Sequence, residues 1–157
     1  MRKGDDMGIF KSIITNHVII APILTWAFSQ IIKTVLYLIK EKKFDIKRIV
    51  GDGGMPSAHS ATVVTLAIMA GYTEGFGSAI FAVGIIFAAV VIRDAVGVRR
   101  EVGKHARVIK ALNDSEKAKE IDEFNKLKLI SGHSILEVIL GILFGILMSV
   151  AYILIVF

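Results

Sequence analysis

Long apolar runs alternate with short polar segments along the whole chain. Four runs are prominent, and they extend over about residues 13–39, 58–72, 79–96 and 135–157. Because a spanning helix needs about 20 mainly apolar residues, the second run is short and predicts either a full span or a re-entrant segment. The fourth run has no charged residue after Glu137 and is the clearest span. The pattern therefore predicts about four transmembrane or re-entrant helices.

The connections between these runs complete the predicted architecture. The short turn 71–77 predicts that the second and third runs form a helical hairpin. The charged segment 99–130 keeps apolar residues at helical spacing, which is typical of an amphipathic helix at the membrane interface. We therefore expect an all-α integral membrane helical bundle, with residues 1–157 forming one domain and an amphipathic interfacial connector before the fourth run.

Composition narrows the possible functions. Hydrophobic residues make up 54% of the chain, which excludes an ordinary soluble domain, and cysteine is absent, which excludes thiolate metal sites. The net charge is +5, and its basic residues flank the apolar runs without interleaved aromatic residues. This favours anionic lipid head groups over nucleic acid as partners. The N-terminus lacks the small-residue cleavage pattern of a signal peptide.

Three polar clusters interrupt the apolar sequence: GGMPSAHS at 53–60, RDAVGVRR at 93–100 and SGHSILE at 131–137. If the second and third runs form a hairpin, the three clusters meet on one side of the membrane, beside the basic loop 40–48. Most of the lysine and arginine lies on that side, so the positive-inside rule predicts that it faces the cytoplasm of a bacterial plasma membrane.

The first cluster has the features of a phosphate cradle. Pro56 is suited to the first turn of a helix, and Ser57 can cap or line that turn. The backbone N–H groups that follow attract an anion, and Gly54 lets the backbone approach it closely. His59 and Ser60 complete the rim. Cations for the phosphate oxygens are available at Arg99 and Arg100, which are equally suited to flank a membrane span.

The third cluster supplies a candidate nucleophile. Glu137 follows His133 by four residues, so on a helix it can orient the imidazole and stabilise its positive form. An oriented histidine can attack a phosphate, and His59 can protonate the leaving oxygen. The alternative for Glu137 is a capping box with Ser134, which would tie the carboxylate to the helix start.

Two further ionisable groups lie within apolar runs. Asp94 can hold Arg99 in place, or it can form an ion pair with a neighbouring arginine. Lys33 shares a helix face with Gln30 and Trp26, which predicts a polar stripe towards the bundle; the alternative is a lysine that extends to the interface.

Gly141 and Gly145 form a GxxxG motif in the fourth run. This spacing lets two helix backbones approach closely. Packing within the chain and contact between two copies in a homodimer both explain it.

Together, GGMPSAHSA, DAVGVRR and GHSILEV resemble a divergent branch of the type 2 phosphatidic acid phosphatase superfamily, which is related to acid phosphatases and vanadium-dependent haloperoxidases. PSAH is similar to the PSGH signature, with Ala58 in place of glycine. The resemblance makes His59 the leaving-group acid and Ser57 a phosphate ligand. HSILE is similar to the end of the SRxxxxxHxxxD signature, which makes His133 the nucleophile that becomes a phosphohistidine, with Glu137 in place of aspartate.

The chain departs from the superfamily pattern at two points. The arginine position six residues before His133 is Leu127, and Arg99 or Arg100 are candidates for the vacant role. The KxxxxxxRP signature has only loose substitutes, which are Lys40, Lys42, Lys47 and Arg48.

The resemblance implies a membrane phosphatase for a phospholipid or a polyprenyl (pyro)phosphate, without a metal or other cofactor. The alternative is a non-catalytic protein that binds or transports lipid phosphates. The candidate catalytic residues are His133, His59 and Glu137. The candidate phosphate-binding residues are Ser57, Ala58, Ser60, Arg99, Arg100 and Lys33, with Gly54, Pro56 and Asp94 in support.

Overall fold

The computed structural model describes residues 3–42, 54–97 and 134–157, with the single positions 101, 102, 105 and 108. Five helices have their bounds there: α1 (Lys3–Ile14), α2 (His17–Glu41), α3 (Ala58–Glu74), α4 (Ala79–Val96) and α5 (Ile135–Val156). These residues contain no strand, so the prediction of an all-α bundle is confirmed. The predicted connector 99–130 lies outside the described residues, apart from the single positions.

The first apolar run is divided between two helices. Asn16 is the N-cap of α2, and its side-chain oxygen accepts a hydrogen bond of 2.9 Å from the Val18 N–H. Such a cap satisfies one of the N–H groups that a helix start leaves without an intrahelical partner. The long helix therefore begins at His17, and Ile13 and Ile14 belong to α1.

Helix α3 lies at the centre and packs against α2, α4 and α5. Its buried residues are mostly small or hydroxyl-bearing: Ala58, Ser60, Ala61, Val63, Thr65, Ala67, Met69, Ala70 and Gly71. Small residues let helix backbones approach closely in lipid, where close packing drives helix association. The short second run is therefore the core of the bundle.

Helices α3 and α5 run in the same direction. At one end, the Ser57 N–H donates a hydrogen bond of 3.0 Å to the Glu137 carbonyl. At the other end, the rings of Tyr72 and Phe157 pack with centroids 5.1 Å apart. The turn 75–78 reverses the chain, so α4 ends where α3 and α5 begin. We call this the site end of the bundle, and its existence confirms that the start of the second run meets the start of the fourth.

Buried hydroxyl groups join three helices in the middle of the bundle. The Thr25 and Thr65 hydroxyls lie 3.1 Å apart, and Thr65 also donates to the Gly145 carbonyl at 3.1 Å. Ser149 donates to the same carbonyl at 2.7 Å. These bonds matter because an unsatisfied polar group is costly in hydrocarbon.

Helices α2, α4 and α5 are long and apolar enough to cross a membrane. Helix α3 has 17 residues, about 26 Å at 1.5 Å per residue, against a hydrocarbon core of about 30 Å. It nevertheless extends alongside α5 from the site end to the opposite end. The molecule is therefore an integral membrane helical bundle.

Candidate functional site

The loop before α3 differs in one respect from the sequence prediction. Pro56 lies outside the helix and precedes the N-cap, which is Ser57, so the expectation that it occupies the first turn is wrong. The reason is that the Ser57 side chain accepts from the Ser60 N–H and begins the helix at Ala58. The Met55–Pro56 peptide bond is cis. Gly54 has a φ of 89°, a backbone conformation that favours glycine.

The hydroxyl groups of Ser57 and Ser60 are fully buried. The Ser60 hydroxyl donates to Ser57 Oγ at 3.0 Å, and the Ser60 N–H approaches the same oxygen at 3.4 Å. These two side chains therefore shape the first turn of α3. A phosphate at this turn would meet backbone N–H groups, which point out of a helix start.

The GxxxG motif of α5 packs against this same turn. A Cβ added to Gly141 would lie 2.6 Å from the Ser57 carbonyl oxygen, and one added to Gly145 would lie 2.5 Å from the Ala61 carbonyl oxygen. Neither position can carry a side chain without moving α5 away from α3. The motif is thus used within the chain, and it holds the start of α5 beside the loop 54–57.

Lys33 lies beside the same loop. A Cβ placed on Gly54 would be 3.9 Å from the Lys33 Cγ, so the lysine stem runs past this glycine. The side chain is 8% exposed. It therefore points into the bundle, as the predicted polar stripe requires, and not along the surface to the interface.

The stripe extends from Lys33 towards the middle of α2. Ser29 and Thr25 are fully buried and donate to backbone carbonyls one turn earlier. Gln30 is also buried, and its side-chain oxygen has no hydrogen-bond partner among the described residues. Trp26 shares this part of α2 but is 43% exposed, so it lies outside the buried stripe.

The predicted capping box at the start of α5 is present. The Ser134 hydroxyl accepts from the Glu137 N–H, and a Glu137 carboxylate oxygen accepts from the Ser134 N–H, both at 3.2 Å. This bond fixes the Glu137 side chain at the site end. His133 lies outside the described residues, so its orientation by Glu137 stays a prediction.

The remaining candidates differ in how far the structure describes them. His59 occupies the first turn of α3 and is exposed at its rim, while Ala58 beside it is buried. Asp94 is half-buried near the end of α4 and therefore at the site end. Arg99 and Arg100 lie outside the described residues.

Two features of this site had recognisable signals in the sequence. Gly141 follows Glu137 by four residues, so it shares a helix face with that carboxylate and faces the small residues of the PSAHS stretch. Lys33 precedes Lys40 by seven residues, the separation of the lysine and arginine in the first superfamily signature. The structure brings Lys33, Gly54, the start of α3 and Glu137 together at the site end.

Comparison with known proteins identifies the family of the chain. The model of the Divergent PAP2 family matches residues 14–148. The chain is 36% identical over 148 residues to the uncharacterized membrane protein YuiD of Bacillus subtilis (strain 168), an alignment that covers 87% of this chain and 94% of that protein. No solved structure matches the chain. The family match spans all three polar clusters, and the chain therefore belongs to the divergent PAP2 family.

Proposed function

We propose that this protein is a membrane-embedded phosphatase that hydrolyses a lipid phosphate or a polyprenyl (pyro)phosphate without a metal ion. The observation that carries the proposal is the position of Lys33. The stem of this buried lysine passes Gly54, three residues before the N-cap Ser57, so a positive charge lies near the loop that leads into the backbone N–H donors of α3. Ionisable groups within membrane spans are costly, so a buried lysine at such a position is a functional candidate.

The depth of this point favours a lipid as the substrate. Lys33 lies eight residues before the end of α2 at Glu41, which is about 12 Å along the helix axis. A phosphate beside Lys33 is therefore recessed below the end of α2. A substrate with a membrane-embedded tail reaches this depth more easily than a soluble phosphate ester, whose whole surface would need to leave water.

The proposed reaction has two steps. The imidazole of His133 attacks phosphorus, an N–P bond forms, the P–O bond to the lipid breaks, and His59 gives its proton to the leaving oxygen. A water then attacks the phosphohistidine and loses its proton to His59, an O–P bond forms, the N–P bond breaks, and inorganic phosphate leaves the free His133 imidazole. Lys33 and the first-turn N–H groups of α3 stabilise the charge on the phosphate oxygens. One carboxylate oxygen of Glu137 caps α5, and the other orients His133 in this mechanism. Arg99 and Arg100 bind the phosphate oxygens, and Asp94 holds Arg99 in place.

The test is phosphate release by the purified protein in detergent with EDTA present. Phosphatidic acid, phosphatidylglycerophosphate and undecaprenyl pyrophosphate are offered separately. We expect release from at least one lipid, its abolition in His133→Ala and a loss of about 10²–10⁴-fold in His59→Ala, the range for a general acid. An acid-labile phosphate label on the wild-type protein, absent from His133→Ala, would identify the phosphohistidine.

His17→Ala is the matched control. His17 lies at the end of α2 opposite to Lys33, where its Nδ1 is 2.9 Å from the Tyr152 hydroxyl. We expect this variant to keep the wild-type rate. Release that EDTA abolishes, or that survives in His133→Ala, would contradict the proposed chemistry.

A lipid-phosphate binding or transport protein is the alternative function. Two observations favour it: Leu127 stands where the third signature has arginine, and the hydroxyls of Ser57 and Ser60 are buried in the turn. A binder would retain phosphate lipids in His133→Ala and release no phosphate from any of the three lipids.

A further inference from the structure

Helix α3 has one long side that lies between its contacts with α2 and α4 and becomes more buried from the start of the helix towards its end. α5 packs on the side of Ser57 and Ala61, Thr65 contacts α2, and Ala67 contacts α4. Four residues lie on the side opposite to α5, at spacings of three, four and four: His59, Thr62, Leu66 and Ala70. Residues with this spacing share one helix face. His59 therefore stands at the site end of a face that continues into the membrane.

This face is the floor of an apolar groove between α2 and α4. Leu66 and Ala70 line the floor, Val18 lines the α2 wall, and Ile80, Val83, Gly84 and Phe87 line the α4 wall, around a cavity of about 110 Å³. Val83 is 62% exposed, so the groove opens towards the surrounding lipid. Thr62 does not interrupt its apolar character, because its hydroxyl donates to the Ala58 carbonyl at 2.7 Å.

The dimensions of the groove limit what it can hold. A water molecule takes about 30 Å³ of liquid volume, so the cavity has room for a few methylene groups and not for another helix. α4 also approaches α3 closely here, since a Cβ on Gly84 would lie 3.2 Å from the Ala67 Cα. From His59 to Ala70 this side of α3 is about 16 Å long, and the groove itself begins at Leu66, about 10 Å from His59 along the helix axis.

We propose that this tail groove, formed by Val18, Leu66, Ala70, Ile80, Val83 and Phe87, holds one hydrocarbon chain of the phosphate substrate. The inference rests on the proposed function, because it takes the phosphate to bind at the first turn of α3. With the anionic head held beside Lys33 and His59, the chain extends along the side of α3 that begins at His59 and enters the groove. The occupant is a single acyl or prenyl chain with a phosphate at its head.

The groove provides a route by which a lipid substrate can reach the phosphate site, which is recessed below the end of α2. Because α3 separates α2 from α4, a lipid can enter sideways between these two helices without leaving the bilayer. Because the surrounding lipid is as apolar as the groove, burial of the chain adds little affinity by itself. Chain length matters because only a long chain extends from the first turn of α3 into the groove, so short-chain phosphates should occupy it poorly.

Photo-crosslinking tests the groove independently of turnover. The probe is hexadecyl phosphate with a diazirine on its terminal carbon, incorporated into proteoliposomes with the wild-type protein, and the labelled residues are located by peptide mass spectrometry. We expect labels on residues of the tail groove. The matching hexadecanol probe lacks the phosphate and should label the lipid-facing surfaces without preference for the groove.

Val83→Trp and Ile86→Trp form a matched pair of variants. Val83 and Ile86 are exposed to similar extents, 62% and 65%, but only Val83 is among the groove residues. We expect Val83→Trp to reduce groove labelling to the level of the hexadecanol probe, because the indole ring fills the space that the chain would occupy. Ile86→Trp should leave it unchanged. Unbound octyl phosphate should compete with the probe much less well than hexadecyl phosphate.

The outcomes separate this inference from the proposed function. Groove labelling without phosphate release would support the groove and contradict the phosphatase. Phosphate release with labels scattered over α4 and α5, or unaffected by Val83→Trp, would support the phosphatase and overturn the groove. Equal groove labelling by hexadecanol would mean that an ordinary membrane lipid occupies the groove, and a missing label there would also overturn the inference.

Discussion

At the scale of single residues, the burial of Lys33 distinguishes it from the exposed lysines of the chain. Several other lysines lie near membrane boundaries and can extend into water, whereas Lys33 is 8% exposed and passes Gly54. A buried ammonium group interacts more strongly with a nearby anion than an exposed one does, because less water screens the charge. The same loop that receives Lys33 leads into the N-capped start of α3, so a phosphate bound there would interact with both.

Lys33→Met tests this residue. Methionine keeps most of the side-chain volume and removes the charge, so we expect lipid-phosphate binding to fall by about ten- to a hundredfold, the loss of a charge-assisted hydrogen bond. Lys33→Arg should restore part of it. The measurement is phosphate release together with retention of a phosphate lipid, and thermal unfolding checks that each variant is folded.

Lys11→Met is the control, since Lys11 is exposed in the last turn of α1, next to the start of α2 and away from the site end. Equal losses in the two variants would mean that general surface charge, and not the buried lysine, attracts the phosphate.

At the scale of helices, the contact between α3 and α5 determines the geometry of the site. The glycines of α5 lie directly against backbone atoms of α3, and the Ser57 N–H bonds to the Glu137 carbonyl. The helix that carries Glu137 and follows His133 is therefore held in fixed register with the turn that carries His59. A change in this packing moves the two halves of the candidate site relative to each other.

Gly141→Val should separate the two helices. The new Cβ would meet the Ser57 carbonyl oxygen at 2.6 Å and the Ser60 Cβ at 3.1 Å. We expect a loss of about 1–3 kcal/mol in the free energy of unfolding, as for overpacked cores, and a large loss of activity. Denaturation in mixed micelles, followed by circular dichroism, measures the first effect.

Gly8→Ala is the matched glycine control, because a Cβ on Gly8 meets nothing within 4 Å. It should be neutral or slightly stabilising, since alanine has the higher helix propensity. Full stability of Gly141→Val would show that α5 does not pack on α3 as described.

At the scale of the whole molecule, the bundle has two different ends. Four parts of the candidate site lie at the site end: Lys33, the loop 54–57, Asp94 and the start of α5. The opposite end carries an aromatic group in which His17 packs on Phe157 with ring centroids 4.9 Å apart. Among the described residues, the buried lysine and the N-capped helix start that are candidates for phosphate binding therefore lie at one end of the bundle.

Cysteine labelling determines which boundary this is. The chain has no cysteine, so single substitutions report without background. From the positive-inside rule we expect Gly77→Cys, in the turn between α3 and α4, to react from outside intact cells, and Lys42→Cys to react only after permeabilisation. The reverse pattern would place the site end outside, and reaction of both from the same side would contradict the hairpin.

The sequence by itself determined the number and the alternation of the long apolar helices, although not the division of the first run between α1 and α2. Apolar runs of spanning length separated by short polar segments leave few other arrangements, because backbone polar groups must be paired inside a membrane. Alternating direction then brings the PSAHS stretch and the start of the fourth run to one side. The capping box of Ser134 and Glu137 also followed from local spacing.

Only the tertiary structure decided which neighbour each helix face meets. Helical periodicity places Lys33, Ser57 and Gly141 on faces but does not say what covers those faces. Packing showed that Lys33 turns inward to Gly54, that the Ser57 hydroxyl is buried in its own turn, and that Gly141 serves contact within the chain. Packing also decided that the side of α3 that begins at His59 lies between α2 and α4. This depends on the distance between α2 and α4, and no local sequence pattern encodes that distance.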